Sequence, residues 1–241
     1  MRIPFIVAAL ALASCAAQPR LSGNVADTNL KLADAALQGG DPAMALQAAD
    51  AVLDHKPNNV QALLREGDAL AALGRTDQAA LSYQRALTLA PGSRAARIGL
   101  GRIRLKSDPA AAERLFGEVI RAHPDDVVAL NDRGIALDLE GQYEAAAASY
   151  RAALSLQPDN TAAEVNLALS LALAGRPQQA VTMLQPIAEA GSANQRIRDD
   201  LAVALAINGQ TQAASDILSP ELSRSEVTTA IAAYQALKPG P

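Results

Sequence analysis

The chain has 241 residues, half of them apolar, with a formal net charge of −4, so a large core is within reach and global disorder is excluded. Aromatics make up 2% and there is no Trp; Ala and Leu carry the hydrophobicity, which favours helices packed through small side chains, and the alternating β-branched runs of strands are missing. Acids and bases are interspersed over most of the chain, giving no footing for nucleic-acid binding, and a single cysteine excludes an intrachain disulfide.

At the N-terminus, Arg2 supplies a positive charge, Ile3 to Leu12 an apolar stretch, and small residues lead to Cys15. This is the layout of a secretory signal, and the stretch falls short of the ~20 residues a membrane span needs. Leu12-Ala13-Ser14-Cys15 resembles the lipobox of bacterial lipoproteins. The resemblance implies a signal peptide over 1–14, diacylglyceryl transfer to the Cys15 thiol, cleavage before it, and acylation of the new amino terminus with a palmitate-type chain. The other reading of these residues is a plain signal peptide. Two or three acyl chains anchor durably where one holds only reversibly. By the sorting rules of such lipoproteins, Ala16 implies an outer-membrane protein facing the periplasm of a diderm bacterium. Gln18 to Val25 is polar and turn-rich, which gives residues 15–25 the character of a lipidated tether.

From Ala26 onward the sequence repeats. Pro57, Pro91, Pro124 and Pro158 step by 34, 33 and 34 residues, and Ala45, Ala79, Ala112, Ala146, Ala180 and Ala214 by 34, 33, 34, 34 and 34. Gly40, Gly74, Gly141, Gly175 and Gly209 complete the frame, with Ser107 or Asp108 where the third repeat lacks its glycine. The pattern resembles the tetratricopeptide repeat. The resemblance implies an all-α, right-handed superhelical solenoid of about six helix-turn-helix repeats, near 26–59, 60–93, 94–126, 127–160, 161–194 and 195–222, so that the array spans 26–222. Within a repeat, the mid-repeat glycine suits the left-handed end of helix A, and Asp41-Pro42 suits the start of helix B. Gly67, Gly101, Gly134 and Ala168 sit where helices A and B approach too closely for a larger side chain. Each closing proline stops helix B.

In the fifth and sixth repeats, Pro186 and Pro220 fall in the last turn of helix B, which predicts shortened or kinked helices, and Ser192 replaces the closing proline of the fifth. Ser225 to Leu237 reads as an amphipathic helix, with Val227, Ile231, Tyr234 and Leu237 on one face, capping the array within a segment 223–241 whose last residues, Lys238 to Pro241, are expected to fray.

No catalytic constellation is recognisable. His55 and His123 stand near the ends of equivalent helices, where a histidine suits the dipole. "GLGR" at 99–102 is too short for a phosphate loop and lacks a preceding strand. The expectation is a non-enzyme with no cofactor, no metal and no small-molecule substrate.

The repeat resemblance also implies that helix A lines a concave groove. Its inward positions here are Leu30, Asp34 and Leu37; Leu64 and Asp68; Ile98, Arg102, Leu105 and Lys106; Asn131, Ile135 and Leu139; Val165, Leu169 and Leu173. Such a surface suits an amphipathic or extended protein segment, while any one of these residues is equally suited to burial between helices. Leu30 and Asp34 stand where a carboxylate clamp would need Lys and Asn, which argues against that site. Arg94, Arg97, Arg102, Arg104 and Lys106 form an acid-free basic run: either a solvated face or a docking patch for an acidic partner, an anionic lipid or a glycan.

Short signal, Cys15, brief tether and an Ala-rich array together resemble the TadD-type lipoproteins of tight-adherence (Flp, type IVc) pilus assembly. This implies a membrane-anchored adaptor that localises or assembles an outer-membrane secretin. The alternatives are an adaptor for outer-membrane protein insertion, for peptidoglycan-enzyme regulation or for exopolysaccharide export.

Overall fold

The structure, a computed structural model, describes residues 23–190 and 194–237. The signal stretch, the lipobox with Cys15, Ser192 and the C-terminal residues expected to fray lie outside them. The described residues form helices and no strand. Six consecutive pairs, each an inner helix A and an outer helix B, run α1 (Gly23–Gln38) and α2 (Pro42–Leu53), α3 (Val60–Ala72) and α4 (Thr76–Leu89), α5 (Arg94–Arg104) and α6 (Pro109–Ala122), α7 (Val127–Leu139) and α8 (Tyr143–Leu156), α9 (Thr161–Leu173) and α10 (Pro177–Glu189), α11 (Gln195–Ile207) and α12 (Thr211–Leu218). A thirteenth helix, α13 (Arg224–Ala236), follows. Each helix packs on its neighbours in sequence, and α1 with α3, α3 with α5, α7 with α9, α9 with α11 and α11 with α13 also touch. With the Arg102–Asp132 bond joining α5 to α7, the A helices form one inner row, the arrangement of an α-solenoid.

Local chemistry sets the frame. The turn from A to B needs a residue in the left-handed region, and Gly40, Gly74, Gly141, Gly175 and Gly209 supply it with φ between 73° and 85°. In the third repeat helix A and its turn together are one residue shorter: α5 has 11 residues where α3 and α7 have 13, it ends at Arg104, the amides of Ser107 and Asp108 both donate to the Arg104 carbonyl, and Asp108 caps α6 ahead of Pro109. Losing the residue and losing the need for glycine are one event. At the start of each later helix A, the side chain of Asn59, Ser93, Asp126, Asn160 or Asn194 accepts the amide of the third helical residue. That column steps with the repeat, and each cap contributes about 1 kcal/mol.

Between helices A and B the core is built on the small-residue column. A Cβ placed on Gly67 would stand 2.6 Å from the Tyr83 ring, on Gly101 2.6 Å from the Phe116 ring, and on Gly134 2.4 Å from the Tyr150 ring. These distances are far inside van der Waals contact, so glycine is required. In the fifth and sixth repeats, Ala168 and Ala202 occupy the column and Leu184 and Leu218 take the place of the rings, all within one buried cluster that continues to Val227 of α13.

Three expectations from sequence need correction, and one beside them holds. α1 begins at Gly23, so the last three residues assigned to the tether are helical. α10 runs through Pro186 to Glu189: proline removes one amide donor, and in this helix the chain continues for another turn. α12 does stop at Leu218, ahead of Pro220. On α13, Val227 is buried and Ile231 and Tyr234 pack against the core, but Leu237 is half exposed at the helix end.

Candidate functional site

The inner row of A helices is the surface on which the sequence-derived groove residues fall, and the structure separates them. Leu64 and Val165 are buried between helices. Leu37, Leu105, Ile135, Leu169 and Leu173 pack against buried clusters and are partly covered, as are Leu30, Asp34, Ile98 and Asn131. Asp68, Arg102, Lys106 and Leu139 are exposed.

Two hollows open along the row. The first, of about 570 Å³, lies between α3, α5 and the start of α7 and brings Asp68, Ile98 and Arg102 together with Ala71, Arg94, Asp125 and Val128. The second, of about 420 Å³, gathers Asn131, Ile135 and Val165 with Asn166, Arg196 and Asp200.

Polar links tie the row together across repeats. The Arg65 guanidinium donates from Nε and Nη2 to the two carboxylate oxygens of Asp34, at 2.8 and 3.1 Å. Arg102 Nε donates to Asp132 at 2.6 Å, and the Asn166 amide to Asn131 at 3.1 Å. One member of each pair comes from a single column of the repeat, Lys31, Arg65, Gly99, Asp132, Asn166 and Asp200, which is polar at every position but Gly99. Sequence reading missed it, although its 34-residue step was visible.

The five bases of the third repeat do not share a face. Arg94 pairs with Asp126 at 3.2 Å, Arg97 with Glu118 at 2.9 Å and Arg102 with Asp132. Arg104 and Lys106 border a different hollow, against Thr76, Asp77 and Leu81 of α4. Partner acids came from neighbouring helices, which the composition of a single run does not reveal.

Two tyrosines reach carboxylates. Tyr83 donates its hydroxyl to Asp68 at 2.6 Å and Tyr150 to Asp138 at 2.8 Å. Burial pushes both carboxyls above the usual carboxylate range, against the pull of the tyrosine hydrogen bonds. Burial and the adjacent carboxylate push both phenols up in turn. Asp68 is exposed as a residue, yet its carboxyl is crowded by the surrounding helices. Asp138 keeps Oδ1 buried and without a partner. These pairs tie the outer-helix ring to the inner helix of the same repeat. His123 ends α6, its amide bonded to Val119. Among the described residues no helix is long and apolar enough to cross a membrane.

An inner row of helices with glycine-terminated turns, closing prolines and a concave polar ladder defines a helical-repeat interaction scaffold. Tetratricopeptide repeat models match residues 30–94 and 106–162, and a second such model matches 139–199: the chain belongs to the tetratricopeptide repeat family, whose repeats mediate protein–protein interaction. It is 40% identical over 106 residues to the "Protein CTR9 homolog" of Arabidopsis thaliana, covering 43% of this chain and 10% of that protein. It is 39% identical over 64 residues to the "FK506-binding protein-like" protein of Mus musculus, covering 27% of this chain and 18% of that protein. The chain thus spans a small part of the curated relatives it matches. Among solved structures, a tetratricopeptide repeat protein from Parabacteroides merdae superposes with a TM-score of 0.68 at 15% identity, over 90% of this chain and 87% of that one. MamA from Desulfovibrio magneticus does so at 0.60 and 24% identity, over 69% and 95%. At such identities the likeness is one of fold.

Proposed function

We propose that the chain is a non-enzymatic scaffold held at the bacterial outer membrane through acylated Cys15, facing the periplasm, whose inner groove captures a protein partner during Flp pilus assembly, the outer-membrane secretin being the favoured one. The observation that carries the scaffold reading is the inner row itself: A helices in register, linked by polar bonds and hollowed at two places, with no converging catalytic groups among the described residues. Lipid anchoring rests on Leu12-Ala13-Ser14-Cys15 behind its apolar run, and the pilus assignment on the resemblance in architecture.

Metabolic labelling with a palmitate analogue tests the anchor: wild type takes up label and Cys15→Ala does not, whereas labelling of both, or of neither, removes it. Affinity capture from membranes tests the partner. Recovery of a secretin supports the pilus role; recovery of an insertion-machine, peptidoglycan or polysaccharide-export component without a secretin removes it and leaves the scaffold.

A further inference from the structure

One cross-repeat ion pair in the inner row lacks its cation. Asp34 on α1 is held by Arg65 of the next repeat through two hydrogen bonds. Asp68 stands one repeat on from Asp34, and the residue one repeat on from Arg65 is Gly99. Glycine has nothing to offer, and a larger residue does not fit, because a Cβ there would stand 2.5 Å from the Tyr83 ring. Asp68 therefore takes a neutral donor, the Tyr83 hydroxyl, and forms no ion pair among the described residues. The two arginines beside it are committed elsewhere, Arg94 to Asp126 and Arg102 to Asp132.

A space lies beside Gly99 and the Tyr83 ring that covers it. This hollow of about 570 Å³ has apolar walls from Ala71, Ile98 and Val128 and, at its rim, Asp125, a second carboxylate without an ion pair. Among its charged lining residues Arg94 and Arg102 are paired with Asp126 and Asp132, and Asp68 and Asp125 are the carboxylates without an ion pair, although the Arg65 and Arg102 charges also act on Asp68. We propose that this hollow takes a Lys or Arg side chain of a partner polypeptide, its aliphatic stem lying on Ile98 and Val128 and its cationic head on Asp68, as Arg65 lies on Asp34. The inference rests on the reading of the inner row as a capture surface and names the chemistry captured there. Long basic side chains suit such a site because the stem covers apolar surface while the head reaches charge. Burial holds the empty Asp68 carboxyl above its usual range, and an arriving cation relieves that cost.

The test uses the full chain in detergent and an array of short Ala/Leu peptides that differ only at a central Lys, Arg, Gln or Glu, with affinities of retained peptides read by fluorescence polarisation. Lys and Arg peptides are expected to be retained over Gln and Glu, with affinity falling as salt is raised. Asp68→Asn, which keeps an acceptor for Tyr83, is expected to weaken them about fivefold, the scale of a partly exposed ion pair. Ala95→Trp, at an exposed position on the wall, fills the hollow and is expected to abolish them; thermal melts confirm that both variants fold. Preference for Glu, or equal retention of Gln and Lys peptides that Ala95→Trp abolishes, overturns the proposal and leaves the capture surface standing. Retention of no peptide, together with unchanged partner capture from membranes by Ala95→Trp, overturns both.

Discussion

In the second, third and fourth repeats the inner helix offers a glycine and the outer helix lays a ring on it: Gly67 under Tyr83, Gly101 under Phe116, Gly134 under Tyr150. In the fifth and sixth the inner helix offers an alanine and the outer helix a leucine, Ala168 with Leu184 and Ala202 with Leu218. A methyl group appears on the inner helix as the ring leaves the outer one, so the partition of volume between the two helices changes. The consequences differ. A tyrosine brings a hydroxyl that must find an acceptor, so the ring-bearing half carries carboxylates into the packing, Asp68 and Asp138. The leucine half has no ring hydroxyl to satisfy and builds one cluster that runs on into α13. Shape specificity and a polar tie come together in the first half; aliphatic continuity serves the second.

Gly134→Ala is the sharpest way to break this comparison. The added Cβ meets Tyr150 ring carbons at 2.4 to 2.8 Å, and that ring is 1% exposed, so it has nowhere to retreat. Overpacking is expected to cost about 1–3 kcal/mol net, reduced by the better helix propensity of Ala, and a thermal melt should show a loss of several degrees. Adding Tyr150→Leu builds the fifth repeat's pair in the fourth and should recover part of that cost, a coupling above about 0.5 kcal/mol in a urea double-mutant cycle. Strictly additive costs would show that the two pairs are not alternative solutions of one packing problem.

A smaller effect separates the two tyrosines. Tyr150→Phe removes the donor to Asp138, whose other oxygen is already buried without a partner, and should cost about 1–2 kcal/mol in urea melts. Tyr83→Phe leaves Asp68 open to water and should cost under about 1 kcal/mol. Equal losses would mean that the exposure of Asp68 gives it no relief.

Much of this was legible in the sequence, because each legible feature depends on one residue type. Only glycine tolerates the A-to-B turn and the close approach to a ring, and only proline lacks the donor that continues helix B, so their columns announce the frame. What stayed hidden depends on pairs. Tyr83 and Asp68, or Arg102 and Asp132, reveal their bond only when helices are placed side by side, and the five bases of the third repeat looked like one patch because their acids, Asp126, Glu118 and Asp132, sit on other helices. Gly99 stands in "GLGR", too short for a phosphate loop; its meaning lies in the side chain it withholds from a column that is otherwise polar. Pro186 does not cut its helix short for a related reason: a proline near a helix end removes one donor, and the surrounding packing of Val181, Leu184 and Ala188 is enough to carry the helix past it.

The smallest effect is a pH dependence, and it isolates the electrostatic part of the ring-bearing design. Burial raises the Asp138 carboxyl above its ordinary value of 3.8, opposed by the hydrogen bond from Tyr150 and by the nearby Ser170 hydroxyl. A carboxyl raised by folding binds its proton more tightly in the native state, so its contribution to stability is present below 3.8 and is lost as pH rises through the folded value. Asp138→Asn keeps an acceptor for Tyr150 and has no proton to lose. Burial also raises Asp50, Asp68 and Asp200, but these are common to both proteins and cancel in the difference. Wild type should therefore lose stability relative to Asp138→Asn as pH climbs from near 3.8 toward neutrality, by under about 1 kcal/mol given the partial exposure of the site. A difference that stays flat across that window would mean that the tyrosine bond fully offsets the burial of the carboxylate. The ring-bearing half would then carry its acid at no electrostatic disadvantage to the leucine half, and the contrast between them would reduce to shape.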